Sequence, residues 1–124
     1  MNQTFQSHNL GKQGEEIAAR WLLKQGYTIL EKRWRWKHLE IDIVAQKNEL
    51  LVIVEVKSRT NAQHADPDDT ISNQKLRCLY DITEHYMEVK KVQLEVRYDL
   101  ITIIDHGETY TIEHIEEAFY PFMG

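Results

Sequence analysis

The chain has a single cysteine, Cys78, in 124 residues. That rules out an internal disulfide and a cysteine-based zinc site. A lone thiol suits a reducing compartment and, on a helix, reads as a small buried hydrophobe. No apolar run approaches the roughly 20 residues that a membrane-spanning helix needs. The first eight residues also lack the basic start and apolar centre of a secretory signal. The expectation is a cytoplasmic protein with no membrane partner. Positive charge is in short supply too, since 20 acidic residues against 15 basic ones give a net charge of −5. This balance argues against tight, sequence-blind binding of polyanions by the whole surface. It leaves room for a local basic track, or for carboxylates that await metal ions. The six histidines have no metal-ligand spacing, and neither internal repeats nor low-complexity tracts occur.

The length fits one domain, and apolar and charged contents of 42% and 28% are ordinary for a globular protein. Residues 1–8 read as a loose polar tail and residues 9–124 as the domain. Its organising stretch is Leu50–Arg59, Leu-Leu-Val-Ile-Val-Glu-Val-Lys-Ser-Arg. Rich in β-branched residues, it predicts a short strand buried on both faces with charges at one end. Side chains two apart share a face. Leu51, Ile53, Glu55 and Lys57 therefore stand together, opposite Val52, Val54 and Val56. A carboxylate at the end of an apolar strand costs several kcal/mol unless a partner, a metal or water satisfies it.

Around that strand the pattern predicts a helix over 9–25, ended by Gly26, with Glu15 one step off its apolar stripe. Tyr27–Trp36 reads as a strand ending in basic residues interleaved with tryptophans, Lys32 to His38. Such interleaving, with Arg33 and Arg35 in it, suits phosphates and base stacking. An edge strand with its tryptophans on the core and a solvated basic face fits equally well. Glu40–Ala45 predicts a further strand with Glu40, Asp42 and Val44 on one face, joined to the central strand by the polar turn 46–49. Counted outward from Lys47–Asn48, Asp42 and Glu55 oppose each other only after a shift or bulge. Ser58–Asp69 reads as a polar loop, a candidate lid. A second helix, capped by Thr70 or Ser72, follows to about Val89. Then come a strand over 92–104, a short strand over 109–112 and a terminal helical turn over 114–119. The order α-β-β-β-α-β-β-α points to an α/β sandwich around a mixed sheet.

Asp42 followed by Glu55-Val56-Lys57 is the D…E-x-K arrangement of metal-dependent nucleases. Two carboxylates can hold Mg²⁺ or Mn²⁺, which neutralises charge on a scissile phosphate and acidifies a bound water, while a lysine on the same face positions that water. A structural ion-pair cluster at a sheet edge is the competing reading. For Glu15, a helix-start carboxylate favoured by the helix dipole and a metal ligand both remain open. Glu40 shares the face of Asp42, as a supporting partner or a solvated charge.

The sequence resembles the YraN-type family of small bacterial proteins. The resemblance rests on Gly11, Gly14, Glu15 and Ala18, on Gly26-Tyr27, on Leu39-Glu40-Ile41-Asp42, on Val54–Lys57 with Arg59, on Lys75, and on Arg97-Tyr98-Asp99. Leu39 stands where the family usually has Gly, and Arg33 where it commonly has Asn. The resemblance implies a restriction-endonuclease-like (PD-(D/E)XK) three-layer sandwich, a mixed central β-sheet flanked by helices, and kinship to archaeal Holliday junction resolvases. It further implies a Mg²⁺- or Mn²⁺-dependent nuclease-like protein acting on DNA, in its sharpest form a structure-specific endonuclease. Asp42, Glu55 and Glu15 would be the metal ligands, Lys57 would join them in catalysis, and Arg33, Arg35, Arg59 and Lys75 would contact nucleic acid. A homodimer would follow from the resolvase kinship, with the aromatic run 119–123 either its surface or packing under the sheet. The alternative is a binding module in DNA processing that keeps the fold without turnover.

Overall fold

The computed structural model describes residues 3–4, 10–60 and 72–120. Its elements are β1 (Gln3–Thr4), α1 (Leu10–Lys24), β2 (Thr28–Trp36), β3 (Leu39–Lys47), β4 (Leu50–Thr60), α2 (Asn73–Lys90), β5 (Glu95–Asp105) and β6 (Thr109–Phe119). The strands form one sheet in the order β1-β6-β5-β4-β3-β2. Among them β4 and β5 are parallel and every other neighbouring pair is antiparallel. Parallel neighbours need a crossover, and α2 lies in the connection between them.

The two helices cover opposite faces. Ile17, Ala18 and Leu22 of α1 pack on Ile43, Val52, Val54, Ile101 and Ile103, whereas Leu79, Ile82 and Tyr86 of α2 pack on Ile41, Val44, Leu51, Ile53 and Tyr98. The fold is thus an α/β sandwich with a mixed sheet as its middle layer. Residues 51–54 of β4 are fully buried, alternating between the two cores as the two-residue period requires. Burial contributes roughly 1.5–3 kcal/mol for each such side chain. That gain lets β4 carry a buried carboxyl at position 55.

Both helices end on their own sequence. Gly26, at φ 92°, closes α1, with Gly26 N–H donating to Leu23 O at 3.1 Å and Tyr27 N–H to Leu22 O at 2.9 Å. The Ser72 hydroxyl accepts the Lys75 N–H at 3.2 Å and caps α2.

Three expectations are corrected. The helical turn over 114–119 is instead the second half of β6, where Ile115 pairs with Leu100 and Phe119 with Tyr98 across a bulge. The open edge of β5 supplies backbone partners, and that tertiary pairing outweighs the helix propensity of Glu116, Glu117 and Ala118. Ser58, Arg59 and Thr60 do not belong to a loop, since β4 runs on to pair Thr60 with Asp105. The remainder of that expected lid, residues 61–69, lies outside the described residues, as do residues 121–123 of the aromatic C-terminal run. Finally, the strand expected from Val92 begins at Glu95, because Val92 N–H donates to Met87 O at 2.9 Å in the turn that closes α2.

Candidate functional site

The β3–β4 hairpin sets the geometry. Lys47 pairs with Leu50, so its turn is Asn48–Glu49, with Asn48 at φ 55°, a conformation asparagine tolerates. This centre lies one residue beyond the one counted from the sequence. The ladder reaches Ile43↔Val54, and Asp42 and Glu55 are the next residues on the two strands. There the Val56 N–H donates to Asp42 Oδ2 at 2.8 Å, so the side chain satisfies a backbone group at the end of the ladder. On the other side of β3, the pairs Lys32↔Ile43 and Trp34↔Ile41 bracket Arg33 against Asp42. Arg33, Asp42 and Glu55 thus sit near one another on three adjacent strands. Arg33 has φ 52°, a left-handed conformation uncommon for its residue type.

Glu55 is 4% exposed. Its carboxyl meets that of Asp42, and Lys75 Nζ lies 3.4 Å from Glu55 Oε1. Burial first, then the neighbouring Asp42 carboxylate, push the Glu55 carboxyl up to about 8, against the pull of Lys75. Near neutral pH the buried Glu55 carboxyl therefore retains its proton.

Glu15 reaches the same region from α1. Gly14 faces β4 so closely that a Cβ there would stand 2.5 Å from Ser58 Oγ, which lets the start of α1 close on the sheet. Glu15 is the sixth residue of α1, beyond the first turn in which the helix dipole acts. Its oxygen Oε1 accepts instead from Arg33 Nε at 2.6 Å. One oxygen each of Glu15, Glu40 and Asp42 lies within 4.8 Å of the others. The expected trio of Glu15, Asp42 and Glu55 is thus extended: Glu40 completes a three-carboxylate group, and Glu55 joins it through Asp42. Its signal in the sequence was the two-residue spacing from Asp42, which puts both on one face.

Glu40, Asp42 and Glu55, but not Glu15, border a cleft of about 440 Å³ between β3 and α2, whose lining also includes His38, Leu39, Ser72, Gln74, Lys75, Cys78, Leu79 and Ile82. Lys57 follows Glu55 along β4, half-buried beside Thr102, and is not part of that lining. Arg59 lies two residues further on, beside Ile104, likewise half-buried and outside the lining. The other three expected phosphate contacts sit on carboxylates: Arg33 on Glu15, Arg35 Nε on Glu40 at 2.7 Å and Lys75 on Glu55. The tryptophans of β2 pack on α2, Trp34 edge-on to Tyr86 at 4.9 Å and Trp36 stacked on His85 at 4.0 Å. Of the two readings of β2, its aromatic face follows the core one, while Arg33 and Arg35 are tied to acids.

A second polar network was not read from the sequence. Asp99, fully buried on β5, accepts two bonds from Arg97 at 2.9 Å each, one from His114 Nε2 at 2.8 Å and one from the Glu117 N–H at 3.1 Å. The Trp21 indole N–H, which can only donate, bonds His114 Nδ1 at 3.1 Å, so Nε2 carries the hydrogen given to Asp99. Arg97 also donates to Tyr27 Oη at 2.5 Å. Burial alone would raise the Asp99 carboxyl, but the bonds from His114, Arg97 and Glu117 outweigh it and hold the group below its ordinary value. With its acceptors filled, this network is a clamp joining α1, β5 and β6.

The carboxyl groups of Glu15, Glu40 and Asp42, with Glu55 against Asp42, form a hard oxygen donor set, the type that suits Mg²⁺ or Mn²⁺. Guanidinium and ammonium groups beside Glu15, Glu40 and Glu55 mark positions where positive charge is favourable. Among the described residues, no helix is long and apolar enough to cross a membrane.

The model of the uncharacterised protein family UPF0102 matches residues 14–103. A UPF0102 protein of Phocaeicola vulgatus is 43% identical over 115 residues, covering 92% of this chain and 95% of that one. UPF0102 protein FP2501 of Flavobacterium psychrophilum is 41% identical over 116 residues, covering 93% and 98%. UPF0102 protein BF0634 of Bacteroides fragilis is 44% identical over 115 residues, covering 92% and 95%.

Proposed function

Since the chain belongs to the uncharacterised protein family UPF0102, whose name carries no activity, we propose from the site itself that it is a metal-dependent nuclease-like protein acting on DNA. A restriction-endonuclease-like fold and a structure-specific, resolvase-like endonuclease activity are the sharpest form of this reading. The observation that carries it is the contact of the Asp42 and Glu55 carboxyl groups in the lining of a cleft, with Glu15 and Glu40 brought within reach of Asp42.

Glu15, Asp42 and Glu55, with Glu40 beside them, would hold Mg²⁺ or Mn²⁺. A bound ion of this kind neutralises charge on a phosphodiester and lowers the pKa of a coordinated water. The chain's own contributions follow from its geometry. Asp42 is fixed by the Val56 N–H, which orients one carboxylate oxygen and leaves the other for a ligand. Glu55, whose proton is retained by burial, would be a ligand once a bound cation offset that burial. Lys57, on the same face of β4, would orient the attacking water. Lys75, from the first turn of α2, would meet a phosphate at the mouth of the cleft. The partner would be DNA in the cytoplasm, with two copies acting together if both strands of a branched substrate are cut.

The test is a nicking assay on plasmid and branched DNA with Mg²⁺ or Mn²⁺, comparing wild type with Asp42→Asn, Glu55→Gln and Lys57→Ala. Metal-dependent nicking lost in all three variants supports the nuclease. Metal and DNA binding without cleavage would assign the chain to the non-catalytic binding modules. An absence of both would reduce the cluster to a structural one.

A further inference from the structure

Three basic side chains lie on the acidic cluster: Arg33 Nε 2.6 Å from Glu15, Arg35 Nε 2.7 Å from Glu40 and Lys75 Nζ 3.4 Å from Glu55. Resting on the reading of that cluster as a divalent-metal site, we infer that metal ion and phosphodiester are taken up together by ion-pair exchange. The entering ion takes the carboxylates, and the displaced Arg33, Arg35 and Lys75 become the phosphate contacts.

Charge counting carries the first step. With every acid ionised, as ligation of an ion requires, Glu15, Glu40, Asp42 and Glu55 bring four formal negative charges, and Arg33, Arg35 and Lys75 bring three positive ones, a balance of −1 before the ion's own charge is added. A divalent ion turns that balance to +1 among groups only a few ångströms apart, so like charges repel and a polyanion is the ligand that relieves them. Exposure decides which partner moves. The side chains of Arg33, Arg35 and Lys75 are 46%, 70% and 58% exposed, against 22%, 30% and 5% for the carboxylates they hold. The cations sit on long flexible stems in solvent, whereas the carboxylates are fixed to the sheet and α1. By linkage, DNA then tightens the ion by the same factor as the ion tightens DNA. A chain with net charge −5 would thus present a phosphate site only when the ion is present.

The test is calorimetric titration of Mn²⁺ into wild type, Arg35→Gln, and Arg33→Asn/Arg35→Gln. Each is titrated alone and with a short phosphorothioate duplex, which keeps the backbone charge and resists cleavage. Asparagine tolerates the left-handed φ at position 33, and Arg35→Gln alone carries the test at a position without a positive φ, so neither variant is expected to fail by misfolding. Without DNA, the double variant should bind Mn²⁺ about two- to tenfold more tightly than wild type, because weak exposed competitors have been removed. With the duplex, wild type should gain at least about tenfold and the double variant far less, and its slope of log affinity against log salt should fall by about two. Unchanged or weaker Mn²⁺ binding by both variants overturns the exchange and leaves the nuclease-like reading standing. Failure of wild type to bind Mn²⁺ with or without duplex overturns both.

Discussion

Glu55 is the residue on which the site turns. Its folded pKa is raised by burial and by Asp42 to about 8, so between the ordinary value of 4.5 and about 8 the folded state holds a proton that the unfolded chain has released. Stability contributed by that proton is complete at acid pH and lost as pH rises through this window, at up to about 1.4 kcal/mol per pH unit. Glu55→Gln, which keeps the shape without the charge, should flatten that fall and exceed wild type above pH 8 by on the order of 2 kcal/mol in metal-free buffer. Chemical denaturation at pH 5, 7 and 9 checks this, and parallel pH profiles for the two proteins would refute it. Asp42 has a second duty, since its carboxylate is the acceptor for the Val56 N–H. Asp42→Ala should therefore cost about 1–3 kcal/mol by leaving that donor unsatisfied. Asp42→Asn keeps an acceptor and should cost less. Equal stability of the two in urea melts would mean that the bond to Val56 contributes nothing.

At the scale of elements, the site depends on how α1 and the hairpins are held. Gly14 lets α1 approach Ser58, and the Asp99 clamp ties Trp21 of α1 to His114 of β6 and to Arg97 of β5. Asp99→Asn removes the charge opposite Arg97, which is 12% exposed, and should cost about 3 kcal/mol. Because the Asp99 carboxyl lies below its ordinary 3.8, its stabilisation is present above that value and lost as pH falls through the lower folded one. The variant should therefore lose less stability on acidification below pH 3.8, a contrast that acid titration followed by tryptophan fluorescence reads directly. The same elements mark what the sequence could disclose. β4 was legible because the five consecutive apolar residues 50–54, rich in β-branching, read as a buried strand, and its two-residue period put Glu55 on a face. The hairpin register was not, because a turn centre off by one residue shifts every pairing, and only the ladder settles that Asn48–Glu49 is the turn. The second half of β6 was hidden by helix-forming residues whose strand state comes from β5. The Asp99 clamp draws its residues from α1, β5, β6 and the α1–β2 connection, so no local pattern announces it. Arg33 and Arg35 were legible as basic residues beside tryptophans, yet their carboxylate partners, one of them on α1, are tertiary facts.

For the whole molecule, the cluster draws Glu15 from α1, Glu40 and Asp42 from β3 and Glu55 from β4, while α2 forms the opposite wall of the cleft. Two cores on opposite faces of the sheet thus meet at one group of carboxylates whose mutual repulsion the fold must bear. An ion bound there would cross-link a helix layer to the sheet and would stabilise the folded state by mass action, about 2.7 kcal/mol at a hundred times its dissociation constant. For a chain of this size that corresponds to a rise in Tm of about 5–15 °C. Asp42→Asn/Glu55→Gln should reverse the order. Without metal and above pH 8, where Glu55 as well as Asp42 carries its charge in wild type, it should melt above wild type, because the repulsion between the two carboxyl groups is gone. With saturating Mn²⁺ it should melt below wild type, because only wild type gains from the ion. Melting curves of the two proteins with and without Mn²⁺ therefore cross if the acids form a metal site. If they form a structural cluster held by Arg33, Arg35 and Lys75, Mn²⁺ leaves both curves in place and the variant loses stability in either buffer.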